Sequence, residues 1–325
     1  MAIPRRKLLR LAAAVPVACA VPKAAFALDY PARPVHIFNG FGGSSTPDLV
    51  SRLVGQWLSE KLHQPFVVEN RVGAGGNVAA GAVAKSAPDG YTLLTSVTAD
   101  AINASLYKKL DFDFVKDFVQ VAGIIRLPMV LLVNPSFPAK TLKDFIAYAK
   151  AHPGKINFAS PGVGTPMHVA IELLKMQAGI DVVHVPYRGP APAITDLLAG
   201  QVQAFIITIS TAIGFIRSGK LVALAVTGAT RSDILPDVPS VSEVLPGFDA
   251  TAWDGISAPK GTPEAIVEIL SDNIIAGLTD PELEARIKDL GGETVPMNSA
   301  AFSKFVVAET VKWAKVVEFA KIKAD

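Results

Sequence analysis

One pattern occurs twice in the sequence and most constrains its fold: a short apolar strand, a glycine-rich loop, the dipeptide Thr-Pro and an amphipathic helix. The first copy runs over 34–62 and places Thr46 before the proline; the second runs over 156–176 and places Thr165 there. A threonine hydroxyl can cap a helix start, and a proline in the first turn loses no hydrogen bond. The pattern predicts two α/β units, each with a loop that leads into a helix N-terminus.

A loop of this kind presents unpaired backbone N–H groups and the positive end of the helix dipole to a ligand. Each loop alone is also compatible with an ordinary strand-to-helix connection. Two such loops, one in each unit, favour a cleft in which two helix N-termini converge on one anion. A third segment, 96–100, carries hydroxyl groups at the carboxyl end of a strand, where open α/β sheets bind ligands.

The first 27 residues differ from the rest of the chain. Basic residues precede an apolar run over 11–21, and Ala25 and Ala27 form a small-x-small cleavage site. This predicts a secretory signal peptide over 1–27. The paired arginines at positions 5 and 6 leave both the Sec and the twin-arginine export routes open. Lipid attachment at Cys19 is a second interpretation, which Pro16 disfavours.

Removal of this segment changes the charge of the chain. Five of the 31 basic residues and no acidic residue lie in it, so 26 basic residues remain against 29 acidic ones, a net charge of −3. Nucleic-acid binding, which needs a basic surface, is not expected. Cys19 is the one cysteine, so thiol chemistry is excluded from the exported chain.

Two segments indicate where the chain passes between domains. The apolar run over 119–133 is typical of a buried parallel strand, but Arg126 and Pro128 interrupt it, which predicts a crossover. The proline-rich stretch over 232–247 predicts the return. Lobe 1 is therefore expected over 28–125 plus 236–325, and lobe 2 over 126–235.

Residues for catalysis or metal binding are not arranged in any recognisable pattern. The sequence has five histidines but no His-Glu-x-x-His motif and no Gly-x-Ser-x-Gly motif. We therefore predict no catalytic residue, no metal site, no cofactor and no enzyme activity. His168, in the first turn after the second loop, is a candidate for ligand binding, whereas His184 on an apolar strand is expected to be structural.

Several stretches together resemble the tripartite tricarboxylate transporter receptors, or Bug proteins, a family of periplasmic solute receptors. They are YPARPVHIF, VENRVGAGG, APDGYTLL, AINASLY, HVPYRGPAPAITDLLAGQV, SGKLVALAVTGATR, LPDVPSVSE and WDGISAPKGTP. The resemblance implies a type II periplasmic-binding-protein fold, with two α/β lobes, a central ligand cleft and two chain crossovers. It also implies a monomer located in the periplasm.

The resemblance places the substrate carboxylate between loops of the two lobes. The expected ligand-binding residues are Phe41, Gly42, Gly43, Ser44, Ser45, Thr46, Ser96, Thr98, Ala99, Gly162, Val163, Gly164, Thr165, His168, Tyr187, Thr208 and Ser210. Phe41 and Tyr187 would suit an aromatic ring. Asp48 is expected to bond to the loop backbone or to stabilise the helix dipole, because an acid facing the cleft would repel an anion.

The sequence thus predicts a receptor for a small carboxylate, an aliphatic or aromatic mono- or dicarboxylic acid. The family implies that it delivers this acid to the membrane permease subunits of a tripartite tricarboxylate-type transporter. One alternative is a ligand sensor that signals to a sensor kinase. A third is an exported enzyme.

Overall fold

Two β-sheets organise the chain, as seen in a computed structural model that describes residues 29–324. The predicted signal peptide and the cysteine at position 19 lie outside the described residues. The strands are β1 Val35–Asn39, β2 Phe66–Asn70, β3 Thr92–Val97, β4 Phe118–Leu127, β5 Met129–Val133, β6 Asn157–Ser160, β7 Val183–Pro186, β8 Ala204–Thr208, β9 Val222–Val226, β10 Ala252–Pro259 and β11 Glu293–Met297.

Helices cover both sheets. They are α1 Thr46–Leu62, α2 Asn77–Ala84, α3 Thr98–Leu106, α4 Leu142–Ala151, α5 Pro166–Ala178, α6 Pro190–Leu198, α7 Ile209–Arg217, α8 Glu264–Leu278, α9 Pro281–Asp289 and α10 Ser299–Ala320. In the described part of the chain no helix is both long and apolar enough to cross a membrane.

The first sheet has six strands in the order β11-β4-β10-β3-β1-β2, and the second has five in the order β7-β6-β8-β5-β9. Strand β1 is parallel to β2 and β3, and β6 is parallel to β7 and β8. Each sheet with its helices forms one α/β lobe, which confirms the predicted fold class. The predicted lobe boundaries at 125 and 236 remain predictions.

The apolar run over 119–133 is two strands, not one. Strand β4 ends at Leu127 in the first sheet, and β5 begins at Met129 in the second. Pro128 between them has no N–H and cannot continue a ladder, so the chain changes sheet there. Both strands pair with antiparallel neighbours, so the expectation of a parallel strand was wrong. Strands β5 and β10, each of which enters a sheet after a crossover, are antiparallel to both of their neighbours.

The return crossover lies beside the first one. The Thr227 N–H donates to the Met129 carbonyl at 2.8 Å, and the Ala250 N–H donates to the Thr227 carbonyl at 2.9 Å. The Thr227 hydroxyl adds a bond to the Ala250 carbonyl at 3.0 Å. Thr227 is fully buried. The two connections between the sheets are therefore bonded to each other, as expected of a two-segment hinge.

Candidate ligand-binding site

A cavity of about 210 Å³ lies between the two lobes, where strands end and helices begin. The first-lobe residues that line it are Phe41, Thr46, Pro47, Val97, Thr98, Ala99, Leu127, Ala252, Trp253 and Asp254; the second-lobe residues are Pro166, Met167 and Thr208. Most of these side chains are apolar. The cavity is smaller than the ~300–1,000 Å³ usual for drug-sized ligands, so it suits a small molecule.

Four helices begin at this cavity. Thr46 starts α1, Thr98 starts α3, Pro166 starts α5, and Thr208 is the N-cap residue of α7. The first-turn N–H groups of a helix have no acceptor within that helix, and the helix dipole gives this end a partial positive charge. The helix N-termini of both lobes therefore make the electrostatic potential in the cavity more positive.

Side chains add no positive charge to this potential. Among the described residues that line the cavity there is no lysine, arginine or histidine, and Asp254 is the only ionisable one. An anion in the cavity would be held by backbone N–H groups and threonine hydroxyls. The arrangement is that of a binding site for a small anion with an apolar body.

The first loop is held in place by partly buried polar contacts around Asp48. The Asn70 amide donates to the Phe41 carbonyl at 2.8 Å and to Asp48 Oδ1 at 2.8 Å. Asp48 Oδ2 accepts the Ser44 N–H at 2.9 Å, and the Arg52 guanidinium donates to Oδ1 at 3.0 Å. Burial raises the pKa of Asp48, but the bonds from Arg52, Asn70 and Ser44 outweigh it and lower the pKa. The prediction that Asp48 bonds to the loop backbone is confirmed.

Thr46 is not the cap of α1, although its place before Pro47 suggested that role. Ser45 is the N-cap residue, and its side chain makes no capping bond. Thr46 is the first helical residue and lines the cavity. The hydroxyl of Thr46 has no hydrogen-bond partner among the described residues, so it is available to a ligand. Gly42, Gly43 and Ser44 are exposed and do not line the cavity.

The second loop is closed by its own bonds. The Thr165 hydroxyl caps α5, as predicted: it accepts the His168 N–H at 3.3 Å and donates to the Gly162 carbonyl at 2.8 Å. Val163 is exposed, and Gly164 is buried against the first lobe. None of residues 162–165 lines the cavity. This loop therefore positions Pro166 and Met167 there and supplies no lining of its own.

His168 and His184 lie together, away from the cavity. Their rings stack at 3.7 Å between centroids, and His168 Nδ1 accepts the Gly164 N–H at 3.0 Å. Burial, the His184 ring and Lys175 lower the pKa of His168 to about 3, and burial with Lys175 lowers that of His184 to about 4. Both rings are neutral at neutral pH. His168 does not line the cavity, and its predicted role in ligand binding stays a prediction.

Three other predicted residues also lie outside the cavity. The Tyr187 hydroxyl donates to Asp196 Oδ2 at 2.6 Å within the second lobe, and burial together with this bond raises the pKa of Tyr187 to about 12. Ser96 is fully buried and bonds to the Ser257 hydroxyl. Ser210 faces Gly291 of the first lobe. Alternation along a strand explains Ser96, because Val97 and not Ser96 faces the cavity.

Five predicted residues do line the cavity: Phe41, Thr46, Thr98, Ala99 and Thr208. Two of their hydroxyls already have partners. Thr98 Oγ1 accepts the Trp253 N–H at 2.7 Å, and Thr208 Oγ1 bonds to Thr211 Oγ1 at 3.0 Å. Sequence reasoning missed the lining residues of β4, β10 and α5. An acid within the otherwise apolar stretch that forms β10 was the one signal for Asp254.

Comparison with known proteins gives a consistent result. Residues 50–322 match the model of the tripartite tricarboxylate transporter family receptor. Protein BugT of Bordetella pertussis is 36% identical over 291 residues, which cover 89% of this chain and 89% of BugT.

Two solved structures are similar in sequence and in fold. An R. palustris protein with adipate is 33% identical to this chain and has a TM-score of 0.76. The match covers 90% of this chain and 99% of the R. palustris chain. MatC from Rhodopseudomonas palustris with bound malate is 34% identical, with a TM-score of 0.72 over 89% of this chain and 100% of its own. The chain belongs to the tripartite tricarboxylate transporter receptor family.

Proposed function

We propose that this protein captures a small carboxylate in the cavity between its lobes. The observation that carries the proposal is the convergence of four helix N-termini, two from each lobe, on one cavity without a basic side chain among its described lining residues. Backbone N–H groups bind a carboxylate through charge-assisted bonds without a full counter-charge.

The expected affinity follows from the number of such bonds. A hydrogen bond to a charged group contributes about 1.5–3 kcal/mol, and ordering the ligand and closing the lobes costs part of the total. Micromolar binding requires about 8 kcal/mol. Two or three bonds to the carboxylate, together with burial of the ligand's apolar body against Phe41 and Met167, supply this.

The two relatives solved with adipate and with malate support an aliphatic dicarboxylic acid as the ligand. The apolar lining favours an acid with a hydrocarbon body, and the small volume favours a short one. Tyr187, which the sequence offered as an aromatic contact, is turned toward Asp196. Phe41 remains as an aromatic surface at the cavity.

Ligand binding is expected to close the lobes. Thr46 and Thr98 belong to the first lobe, and Met167 and Thr208 to the second, so one small ligand contacts both. Only contacts that are absent from the open state shift the equilibrium toward the closed one. The closed, loaded protein is the form that a membrane partner would recognise.

We further propose that the protein works in the periplasm and delivers its ligand to the permease subunits of a tripartite tricarboxylate-type transporter. The predicted signal peptide and the family membership support this. Deletion of the gene should abolish uptake of the bound acid. Normal uptake, with ligand-dependent binding to a sensor-kinase ectodomain, would favour the sensor function instead.

A thermal-shift screen of the purified protein against mono-, di- and tricarboxylic acids tests the binding function. A ligand present at ~100 times its dissociation constant stabilises the folded state by ~2.7 kcal/mol. Stabilisation by dicarboxylates, but not by diamines of the same length, is the expected result. No shift with any carboxylate would contradict the proposal.

A further inference from the structure

Asp254 is an acid in a cavity proposed to bind an anion. It lies in β10, is 3% exposed and lines the cavity, and its Oδ2 atom is buried with no hydrogen-bond partner in the part of the chain that the structure describes. An ionised carboxylate in this position would be neither solvated nor paired, and it would repel a bound carboxylate. The position therefore requires either a neutral carboxyl group or a cation from the ligand.

Among the described residues, the groups around Asp254 offer no positive charge. From α3 it faces Asp100, which is 5% exposed and whose Oδ2 accepts the Val97 N–H at 2.8 Å. Its paired residues on the neighbouring strands are Val97 and Ile125. The next residue on β4, Arg126, has its guanidinium 5.1 Å over the Phe305 ring and pairs with Trp253, on the opposite face of the sheet.

The other elements that reach the cavity contribute uncharged residues. Helices α1 and α5 present Thr46, Pro47, Pro166 and Met167, and Thr208 precedes α7. Burial, together with the Asp100 carboxyl, raises the pKa of Asp254 to about 8. Burial also raises the pKa of Asp100 to about 7, although its bond from the Val97 N–H opposes this. The Asp100 carboxyl is thus the second cause of the raised pKa of Asp254, after burial.

We propose that Asp254 stays protonated in the working protein and donates a hydrogen bond to an oxygen of the bound anion. This inference rests on the proposed function and extends it. Asp254 would then be a specificity-determining residue: it favours a ligand with an acceptor oxygen at that place and disfavours binding once it ionises. Binding of the anion therefore keeps the Asp254 carboxyl protonated.

Calorimetric titration with adipate and malate at pH 7 and pH 9.5 tests the inference, because both acids are ionised throughout this range. With the pKa of Asp254 at about 8, the affinity of the wild type should fall about 30-fold at pH 9.5. Asp254→Asn keeps a donor that does not ionise, so its affinity should be equal at both pH values. Asp100→Asn removes the neighbouring carboxyl that helps to raise the pKa of Asp254. The loss of ligand affinity should therefore occur at a lower pH in this variant than in the wild type.

Either of two results would overturn the inference while leaving the proposed function intact: wild-type affinity that is equal at pH 7 and pH 9.5, or loss of binding in Asp254→Asn at pH 7. The second result would indicate that an ionised Asp254 is needed to pair with a cationic group of the ligand. If the wild type binds no carboxylate at pH 7, the proposed function fails and the inference fails with it.

Infrared spectroscopy gives a readout that needs no ligand. The difference spectrum between the wild type and Asp254→Asn at pH 7 should contain the carbonyl stretch of a protonated carboxylic acid, and that band should disappear by pH 9.5. Its absence at pH 7 would overturn the inference. Circular dichroism at both pH values checks that each variant stays folded.

Discussion

Gly164 of the second lobe lies directly against Leu106 of the first: a Cβ atom added to Gly164 would stand 2.4 Å from Leu106 Cδ2. Real Cβ atoms do not approach this closely, so the contact exists because position 164 carries no side chain. A second such contact joins Gly291 of the first lobe to Ser210 of the second, where an added Cβ would lie 2.4 Å from Ser210 Cβ. At both of these contacts a glycine allows the two lobes to approach closely.

We expect Gly164→Ala to weaken carboxylate binding about tenfold by calorimetry, because its methyl group holds the lobes apart. The substitution also places alanine at a φ of +73°, which costs ~1 kcal/mol wherever it occurs. Gly200→Ala is the matched control, since Gly200 has a φ of +75° and nothing within 4 Å of its added Cβ. Equal affinities for the two variants would contradict a role for this contact in closure.

Thr46→Val tests the hydroxyl at the start of α1. Thr46 lines the cavity and its hydroxyl has no partner among the described residues, so loss of the hydroxyl should weaken binding by ~1–2 kcal/mol without changing thermal stability. Thr195→Val is a control on α6, where the hydroxyl donates to the Ala191 carbonyl at 3.1 Å. A Thr46→Val protein with wild-type affinity would remove this hydroxyl from the site.

Thr165→Val should instead lower stability, because the Thr165 hydroxyl caps α5 at the His168 N–H. Loss of a cap costs ~1 kcal/mol, and Thr165→Ser should restore it. Thr141→Val removes the equivalent cap of α4, where Thr141 Oγ1 accepts the Asp144 N–H at 3.2 Å. Urea unfolding should show similar losses for both valine variants, with weaker ligand binding in Thr165→Val alone. Weaker ligand binding in both valine variants would show that the effect comes from lower stability and not from the position of the α5 N-terminus.

The stacked pair of His168 and His184 predicts loss of stability in acid. The pKa of each ring is lowered in the folded protein, to about 3 and about 4, whereas an unfolded histidine titrates near 6.5. The unfolded chain therefore binds more protons below pH 6.5, so stability is complete above that pH and falls as the pH is lowered toward 4.

Urea unfolding between pH 7 and pH 4 measures this dependence. Each histidine contributes a slope of up to ~1.4 kcal/mol per pH unit. His184→Gln should reduce the slope, whereas substitution of the exposed His63 by asparagine should leave it unchanged. Burial raises the pKa of nearby Glu172, so this carboxyl makes the folded protein more stable as the pH falls. Its contribution opposes that of the histidines and is the same in the wild type and in the two variants. A slope unaffected by His184→Gln would show that the pair does not control acid stability.

The periodic parts of the fold were predictable from sequence. Strand β1 and helices α1 and α5 follow clear apolar patterns, and each lies where the pattern placed it. Helices α3 and α7 were missed because each follows a buried strand without a break, and short apolar segments do not distinguish strand from helix. Strand β11 was missed because it is a partly exposed edge strand.

Residues of the site were predictable from sequence only where a local sequence pattern identifies them. A helix start after a glycine loop is a local signal, so Thr46 and Phe41 were found. Asp254 is brought to the cavity by β10, a strand that pairs with β3 across a sequence separation of more than 150 residues. The direction of a side chain within a loop is not a local signal either. Tyr187 turns to Asp196 nine residues later and leaves the cavity.

The most direct test of the account is a comparison of adipate with its neutral diamide by calorimetric titration of the wild-type protein. The two molecules have nearly the same size and apolar body, so they differ mainly in the negative charge that the four helix N-termini are proposed to hold. Micromolar binding of adipate, with the diamide at least ~100-fold weaker, is the predicted result. Equal binding of both, or tighter binding of the diamide, would show that this cavity does not recognise a carboxylate.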